Sequence, residues 1–331
     1  MRQIKKLSIV VPVYYNQDNL KPLYEDIKKK IIDVIDYGYE IVMVNDGSKD
    51  DSWKVMKELA SKDKNIRLIS LSRNFGAHAA VLCGLENSTG DCSVVKAADL
   101  QEPTDMILEM TQSWKEGNNV VIAVREGREE SKGQTFFANL YYWMVRKTTF
   151  PDMPKMGFDT YLLDRKVVKV LETFDEKNSS LQGQILWSGF KTGMVYYTRR
   201  ARTIGKSRWT LKKKLRLVTD TLFSFSTLPI KAVTTMGVLA LFGSLVWATL
   251  IIVSKFLNRV PVNGWTTLIV LNLFSFSVIM LSLGILGEYL WRTFDATRKR
   301  PPYVVEEFGL DENKETKTKK ASAKKRKASE D

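Results

Sequence analysis

Ala98-Asp-Leu-Gln-Glu-Pro103 sets a carboxylate and an amide on alternate positions after an apolar run. On extended backbone alternate side chains share a side, so Asp99 and Gln101 can reach one hard cation together. A cation held there would bridge a diphosphate and stabilise the charge departing with it. The competing reading is an Asp N-cap before a helix expected over Asp105–Trp114. A second constellation, Val44-Asn-Asp-Gly-Ser48, ends another apolar run in a carboxylate followed by glycine. Asp46 can accept hydrogen bonds from a ribose hydroxyl or a base nitrogen there, although Asn-Asp-Gly-Ser is also ordinary turn chemistry.

The elements that must position these loops follow from periodicity. Leu7–Val13 is a continuous apolar, β-branched run, Leu20–Ile35 has helical spacing, and Glu40–Val44 returns to strand character. The rhythm continues with a helix at Asp51–Ser61, a strand at Ile66–Ser70, a helix at His78–Asn87, and strands at Cys92–Ala97 and Val120–Val124. Such alternation predicts an α/β domain with a mostly parallel sheet. Ligands of such sheets bind beyond the carboxyl ends of the strands, so the loops Tyr14–Asn19, Asn45–Asp50, Arg73–Ala77 and Ala98–Pro103 are expected to line one site.

Val233–Val253 and Trp265–Gly287 contain no charged residue. As helices they measure about 31 and 34 Å, enough for a hydrocarbon core of about 30 Å. Just upstream, Leu211, Leu215, Val218, Leu222 and Phe225 form a helical stripe, with Lys212, Lys213, Lys214 and Arg216 on other faces. That is the pattern of a helix lying in the membrane interface. Phe136, Phe137, Leu140, Tyr141, Trp143 and Met144 give another helix an aromatic face, suited either to the headgroup boundary or to packing on the sheet.

The chain has 331 residues, a net charge of +14 and 44% hydrophobic residues, room for one α/β domain and a membrane hairpin. Its Lys and Arg concentrate at Lys206–Arg216, Arg298–Arg300 and the last twenty residues, beside the apolar segments, which argues for a membrane surface and against nucleic acid. The loop between the spans carries only Lys255 and Arg259, so both termini and the catalytic domain are expected to be cytoplasmic. Leu7–Val13 is too short for a signal peptide, so insertion is expected to rely on the C-terminal hairpin. Cys83 and Cys92 fall inside the α/β region and are expected to be packed side chains without a disulfide. The expected organisation is a catalytic domain over 1–205, an interfacial helix over 206–231, a two-helix hairpin over 232–290 and a basic tail over 291–331. From about residue 311 the composition offers too little to bury for folded structure.

Taken together, several stretches resemble the membrane-anchored family 2 glycosyltransferases, the group that includes dolichol-phosphate mannose synthases and bactoprenol glucosyltransferases. They are Ser8-Ile-Val-Val-Pro-Val-Tyr-Tyr-Asn16, Val44–Ser48, Leu71-Ser-Arg-Asn-Phe-Gly76, Ala98–Gln101, Gly157-Phe-Asp-Thr-Tyr-Leu-Leu-Asp-Arg165 and Arg202-Thr-Ile-Gly-Lys-Ser207. In the apolar region Ser224-Phe-Ser-Thr-Leu-Pro229 and Leu281-Ser-Leu-Gly-Ile-Leu-Gly-Glu-Tyr289 carry the same resemblance. It implies a GT-A nucleotide-sugar domain that uses Mg2+ or Mn2+ to transfer one sugar, with inversion, from a UDP- or GDP-sugar to undecaprenyl phosphate. The product would serve cell-envelope glycan modification, and the family suggests a homo-oligomer in the membrane.

By that resemblance Pro12, Tyr14 and Asp46 hold the nucleoside, Asp99 and Gln101 the metal, and Arg202, Lys206 and Ser207 close on the diphosphate. Asp159 is the candidate for orienting the acceptor or acting as base, with loop capping the alternative. Arg125, Arg128 and Lys132 are candidates for the acceptor phosphate, with a solvated charged face the alternative. His78, the only histidine, is read as structural. The chain departs from the family at Ala97, where an acidic residue is usual, and at Gln17, also commonly acidic. Three explanations compete at Ala97: metal held by Asp99, Gln101 and diphosphate oxygens, substitution by Glu102, or a catalytically silent sugar-nucleotide-binding scaffold. The first is favoured, because the other donor motifs are intact. A processive polysaccharide synthase would carry Gln-x-x-Arg-Trp, which neither Gln184-Ile-Leu-Trp187 nor Ser207-Arg-Trp209 supplies.

Overall fold

The computed structural model describes residues 2–126, 132–174, 179–199, 218–221, 223–256 and 264–309. Its centre is an eight-stranded sheet built from β1 (Lys6–Val13), β2 (Gly38–Asn45), β3 (Ile66–Leu71), β4 (Cys92–Val95), β5 (Val120–Arg125), β6 (Thr160–Asp164), β7 (Thr192–Tyr197) and β8 (Val305–Gly309), in the order β7-β5-β6-β4-β1-β2-β3-β8. Strands β4, β1, β2 and β3 are parallel neighbours, as the alternating pattern requires. The sheet is mixed because β6 runs antiparallel between β4 and β5, and β8 runs antiparallel along β3.

Successive strand residues feed two cores on opposite faces. Leu7, Ile9, Val11, Ile41, Met43 and Leu68 pack with α1 (Gln17–Ile27), α2 (Ser52–Lys62) and α4 (Met106–Lys115). Val10, Val42, Val44, Ile69 and Leu71 pack with α3 (Ala77–Glu86) and α6 (Arg165–Leu171) on the other side. Burial on both faces explains why these strands read as unbroken apolar runs. Helix α3 comes so close to β1 that a Cβ on Gly84 would stand 2.3 Å from a Val10 methyl. The helix expected over Leu20–Ile35 ends earlier, passing from α1 into a π turn over Lys28–Ile32.

The remaining helices are α5 (Lys132–Thr148), α7 (Leu181–Trp187), α8 (Leu228–Phe256) and α9 (Trp265–Thr297). Helix α5 packs on the sheet through part of its aromatic face: Val145 is buried in the second core with Tyr141 and Tyr142 packed against it, while Trp143 is exposed. Helices α8 and α9 are long and apolar enough to cross a membrane, and their apolar side chains are exposed along their length. Of the expected interfacial helix, residues 209–217 and 222 lie outside the described residues. Its C-terminal part departs from a purely lipid-facing stripe: Phe225 meets Phe150 at a tilt with ring centroids 5.2 Å apart, Tyr141 donates to Thr221, and Arg292 of α9 reaches Asp220 at 2.9 Å.

Strand β8 lies beyond the expected boundary at residue 205 yet joins the sheet of the N-terminal domain. The segment assigned to a basic tail over 291–331 supplies the edge strand of the catalytic sheet, with Ile69 opposite Phe308 and Ser70 opposite Glu307. Trp53 and Lys57 of α2 both bind the Glu307 carboxylate. The edge of β3 is thereby covered, which removes a row of open backbone groups.

Candidate active site

Strand β1 has β2 on one side and β4 on the other, so the chain changes direction there, and the crevice in which such sheets take ligands is expected beyond the carboxyl ends of β1 and β4. Pro12 sits on the β4 side, the side on which Val10 accepts the Lys96 N–H. Its missing donor falls beyond the last registered pair, Val10 with Val95, and costs the ladder nothing.

The loops at this end are stitched by side chains. Tyr15 and Asn16 donate their backbone N–H groups to Ser48 and Ser52. Gln17, where an acidic residue was expected, accepts the Asp51 N–H at 2.9 Å, so it ties α1 to the loop after β2. Asp46 is buried and accepts the N–H groups of Phe75 at 2.7 Å and Gly76 at 3.0 Å, one on each oxygen. Its carboxylate shapes the Arg73–Gly76 loop. The intervening turn requires glycine: Gly47 has φ of +64°, and a Cβ there would stand 2.4 Å from the backbone of Arg73. Tyr14 and Tyr15 meet edge to face at 4.7 Å beside this crevice.

Past β4 the chain turns tightly, with Leu100 at φ of 59°. Asp99 Oδ1 accepts the Gln101 backbone N–H, which holds the Asp99 side chain against the turn that carries Gln101. Asp105 makes no side-chain cap on α4, so the capping alternative for this loop is not realised there. Arg199, two residues beyond β7, donates to Gln101 Oε1 at 2.5 Å and lies 3.9 Å from Asp99. Glu102 does not replace the missing carboxylate at Ala97. It is buried, turned toward Lys96, whose ammonium donates to the Glu102 carbonyl at 2.7 Å and sits 3.8 Å from its carboxylate. Burial pushes the Glu102 carboxyl above the usual range, with Lys96 opposing.

Because β6 is antiparallel, Asp159 at its start lies at the same end of the sheet as the finish of β4 and β5. There Arg125 donates to Asp159 at 2.6 Å. Tyr197 ends β7 beside Arg125 in register, and burial, with the Glu102 carboxyl nearby, pushes its phenol up to about 12. Arg125, a candidate for the acceptor phosphate, and Asp159, the candidate base, are therefore one ion pair. His78, in the first turn of α3, is half-buried, and burial pushes its imidazole down to about 4. Cys83 and Cys92 are buried free thiols.

Arg128, Arg202, Lys206 and Ser207 lie outside the described residues, and Lys132 opens α5. Sequence reasoning missed Arg199, Lys96 and Tyr197. The available signal was weak: Thr192–Tyr197 alternates toward Tyr197 and Arg199, and Lys96 closes a run that otherwise reads as a buried strand.

Among the described residues no three His, Cys, Asp or Glu side chains are placed to hold an ion. Asp99 and Gln101 nevertheless offer hard oxygen donors on one turn. One carboxylate completed by substrate phosphate oxygens is a ligand pattern that Mg2+ accepts. The residues therefore fit a divalent cation that arrives with, or is completed by, a diphosphate.

Glycosyl transferase family 2 matches residues 8–171 of this chain. The chain is 37% identical over 312 residues to an uncharacterized glycosyltransferase, YkcC, of Bacillus subtilis (strain 168), covering 93% of this chain and 95% of that protein. It is 31% identical over 301 residues to the bactoprenol glucosyl transferase of Shigella phage SfX, covering 91% of this chain and 98% of the relative. Among solved structures, the mannosyltransferase PcManGT from Pyrobaculum calidifontis in complex with GDP-Man and Mn2+ overlaps 88% of each chain at a TM-score of 0.46 and 14% identity.

Proposed function

This chain belongs to the family 2 glycosyltransferases and is a glycosyltransferase of GT-A architecture, and on that premise we propose that it moves one monosaccharide from a UDP- or GDP-sugar to undecaprenyl phosphate at the cytoplasmic membrane face. One observation carries the acceptor reading: the edge strand β8 of the catalytic sheet follows two helices long enough to span a bilayer, which ties the crevice to the membrane. The near full-length similarity to a bactoprenol glucosyl transferase supports a polyprenyl phosphate in that position. Two crossings return the chain to the side it left, and the pairing of β8 with β3 supports that return. With Lys and Arg crowding the same side, the catalytic domain and both termini are assigned to the cytoplasm.

The reaction is a single displacement. A phosphate oxygen of the acceptor forms a bond to the anomeric carbon, the bond from that carbon to the donor diphosphate breaks, and the nucleoside diphosphate leaves with the electron pair. Inversion follows from attack on the face opposite the leaving group. Pro12, Tyr14 and the loops braced by Asp46 form the nucleoside side of the crevice. Asp99 and Gln101 would hold Mg2+ or Mn2+, which when bound supplies charge neutralisation to the leaving diphosphate. Arg202, Lys206 and Ser207 are proposed to close on that diphosphate.

A phosphate monoester has its second pKa near about 6 and is already a competent nucleophile at neutral pH, so no strong base is needed. Asp159 then acts chiefly by holding Arg125 toward the acceptor phosphate, with Arg128 and Lys132 adding positive charge. The test offers purified full-length protein a panel of labelled UDP- and GDP-sugars with undecaprenyl phosphate and Mg2+ or Mn2+. A chloroform-soluble product, labile to mild acid and carrying one phosphorus, supports the reading. A sugar diphospholipid, or a glycolipid with no phosphorus, overturns it, and binding of nucleotide sugar without transfer favours the silent scaffold.

A further inference from the structure

Arg199 lays its guanidinium across the two side chains expected to hold the cation, 2.5 Å from Gln101 Oε1 and 3.9 Å from Asp99 Oδ2. The contact is near solvent, with the Arg199 side chain 34% exposed and Asp99 19%. The charge around it is unusual for a metal loop. Ala97 contributes none, Glu102 is turned inward, and Lys96 places a wholly buried ammonium at the root of the loop. Asp99 is then the loop's one carboxylate near solvent, and a cation of the chain already faces it. A guanidinium does not deprotonate in a protein, so a divalent ion takes these oxygens only by displacing it.

We propose that Arg199 is a placeholder: without nucleotide it competes with the divalent cation for Asp99 and Gln101, and a diphosphate relieves the competition by drawing the guanidinium onto its own oxygens. Arg199 is thus a further donor-site residue, positioning the loop when empty and meeting the diphosphate when loaded. The physical reason is mutual. A diphosphate offers Arg a bidentate, charge-assisted partner, and it offers the cation the ligands that Ala97 withholds. Metal alone should bind weakly, and metal and nucleotide should bind with positive coupling, each raising the affinity for the other by the same factor. The inference rests on the donor-site reading of Asp99 and Gln101.

The test needs no turnover. Free Mn2+ is followed by electron paramagnetic resonance with the full-length protein in detergent, first alone and then with UDP or GDP. Arg199→Gln and Arg199→Ala are expected to bind Mn2+ alone at least about fivefold more tightly than wild type, with Arg199→Lys between, and to lose the guanidinium's share of the coupling to nucleotide while keeping the share that comes from direct diphosphate ligation, the fivefold factor lying within the common range for linked sites. Thermal transitions of the variants establish that they fold, and Arg199→Gln serves if the alanine variant does not. Unchanged or weaker Mn2+ binding in folded Arg199→Gln overturns the proposal, as does full coupling without the guanidinium. Asp99→Ala separates this failure from that of the donor-site reading: if it binds Mn2+ like wild type, the cation site lies elsewhere and the placeholder role goes with it.

Discussion

Arg125 donates to Asp159 across 2.6 Å, joining the last residue of β5 to the residue that precedes β6. The pair sets out two roles for Asp159 that kinetics can separate. A general base would be indispensable. A residue that orients Arg125 toward an already ionised phosphate would not. Asp159→Asn is therefore expected to lower transfer by a moderate factor, while Arg125→Ala raises the acceptor concentration needed by about tenfold, near 1.4 kcal/mol for a lost charge-assisted contact. Steady-state rates against a short-chain polyprenyl phosphate decide it. Loss of activity in Asp159→Asn as complete as in Asp99→Ala would return Asp159 to the role of base.

Asp99 is the one carboxylate of its loop near solvent, since Glu102 is buried against Lys96. Asp99→Ala should leave less than about a tenth of the transfer rate, a loss above about 1.4 kcal/mol in transition-state stabilisation. Retention of more than that would remove Asp99 from the donor site. Ala97→Asp restores the family's acidic pair and is expected to preserve activity while tightening metal dependence, which a metal titration of the rate reads directly.

The parallel half of the sheet was legible in the sequence because its strands are buried on both faces. Leu7–Val13, Glu40–Val44 and Ile66–Ser70 could be little else between helical periods, and each lies within an observed strand. The antiparallel strands were not legible. Thr160–Asp164 is short, and Val305–Gly309 carries two adjacent glutamates, one of which is held by Trp53 and Lys57 from a distant helix. Pairing of that range leaves no local trace in composition. The site followed the same division. Asp99 and Gln101 stand out by spacing, whereas Arg199 reaches them only because β7 lies beside β5. Asp46 was readable as a carboxylate at a strand end, but its two backbone partners belong to the next loop but one.

Glu40 supplies a pH test of stability remote from the crevice. Its carboxylate is buried, which alone would raise its pKa. Hydrogen bonds from Lys6, Ser8 and Thr89 outweigh burial and hold it at about 2, against an ordinary value of 4.5. The depressed group contributes stability fully present above about pH 4.5 and lost as the pH falls toward 2, of order 3 kcal/mol at about 1.36 kcal/mol per pKa unit. Glu40→Gln should therefore lower the thermal midpoint at pH 7 and flatten its decline between pH 5 and 3, both in detergent. A variant whose midpoint falls with acid as steeply as wild type would show that another group sets the acid limit.

The clasp formed by β8 gives the topology its most direct test. After α9 the chain passes Pro301 and Pro302, Ser72 donates to the Val304 carbonyl, and Leu71 pairs with Val305, so the residues after the second long helix belong to the catalytic domain's own sheet. A two-crossing hairpin satisfies this and a single crossing does not. Cysteines introduced singly at Asn258, between the long helices, and at Ser329, near the C-terminus, into a background lacking Cys83 and Cys92, should react with an impermeant maleimide from opposite faces of sealed vesicles. Equal labelling of both from one face would refute the hairpin. Removing residues 298–331 should also lower the thermal midpoint, because it uncovers the β3 edge and strips Glu307 from Trp53 and Lys57, whereas removing only 310–331 should leave the midpoint near wild type. Equal midpoints for the two truncations would mean that β8 adds nothing to the sheet it completes.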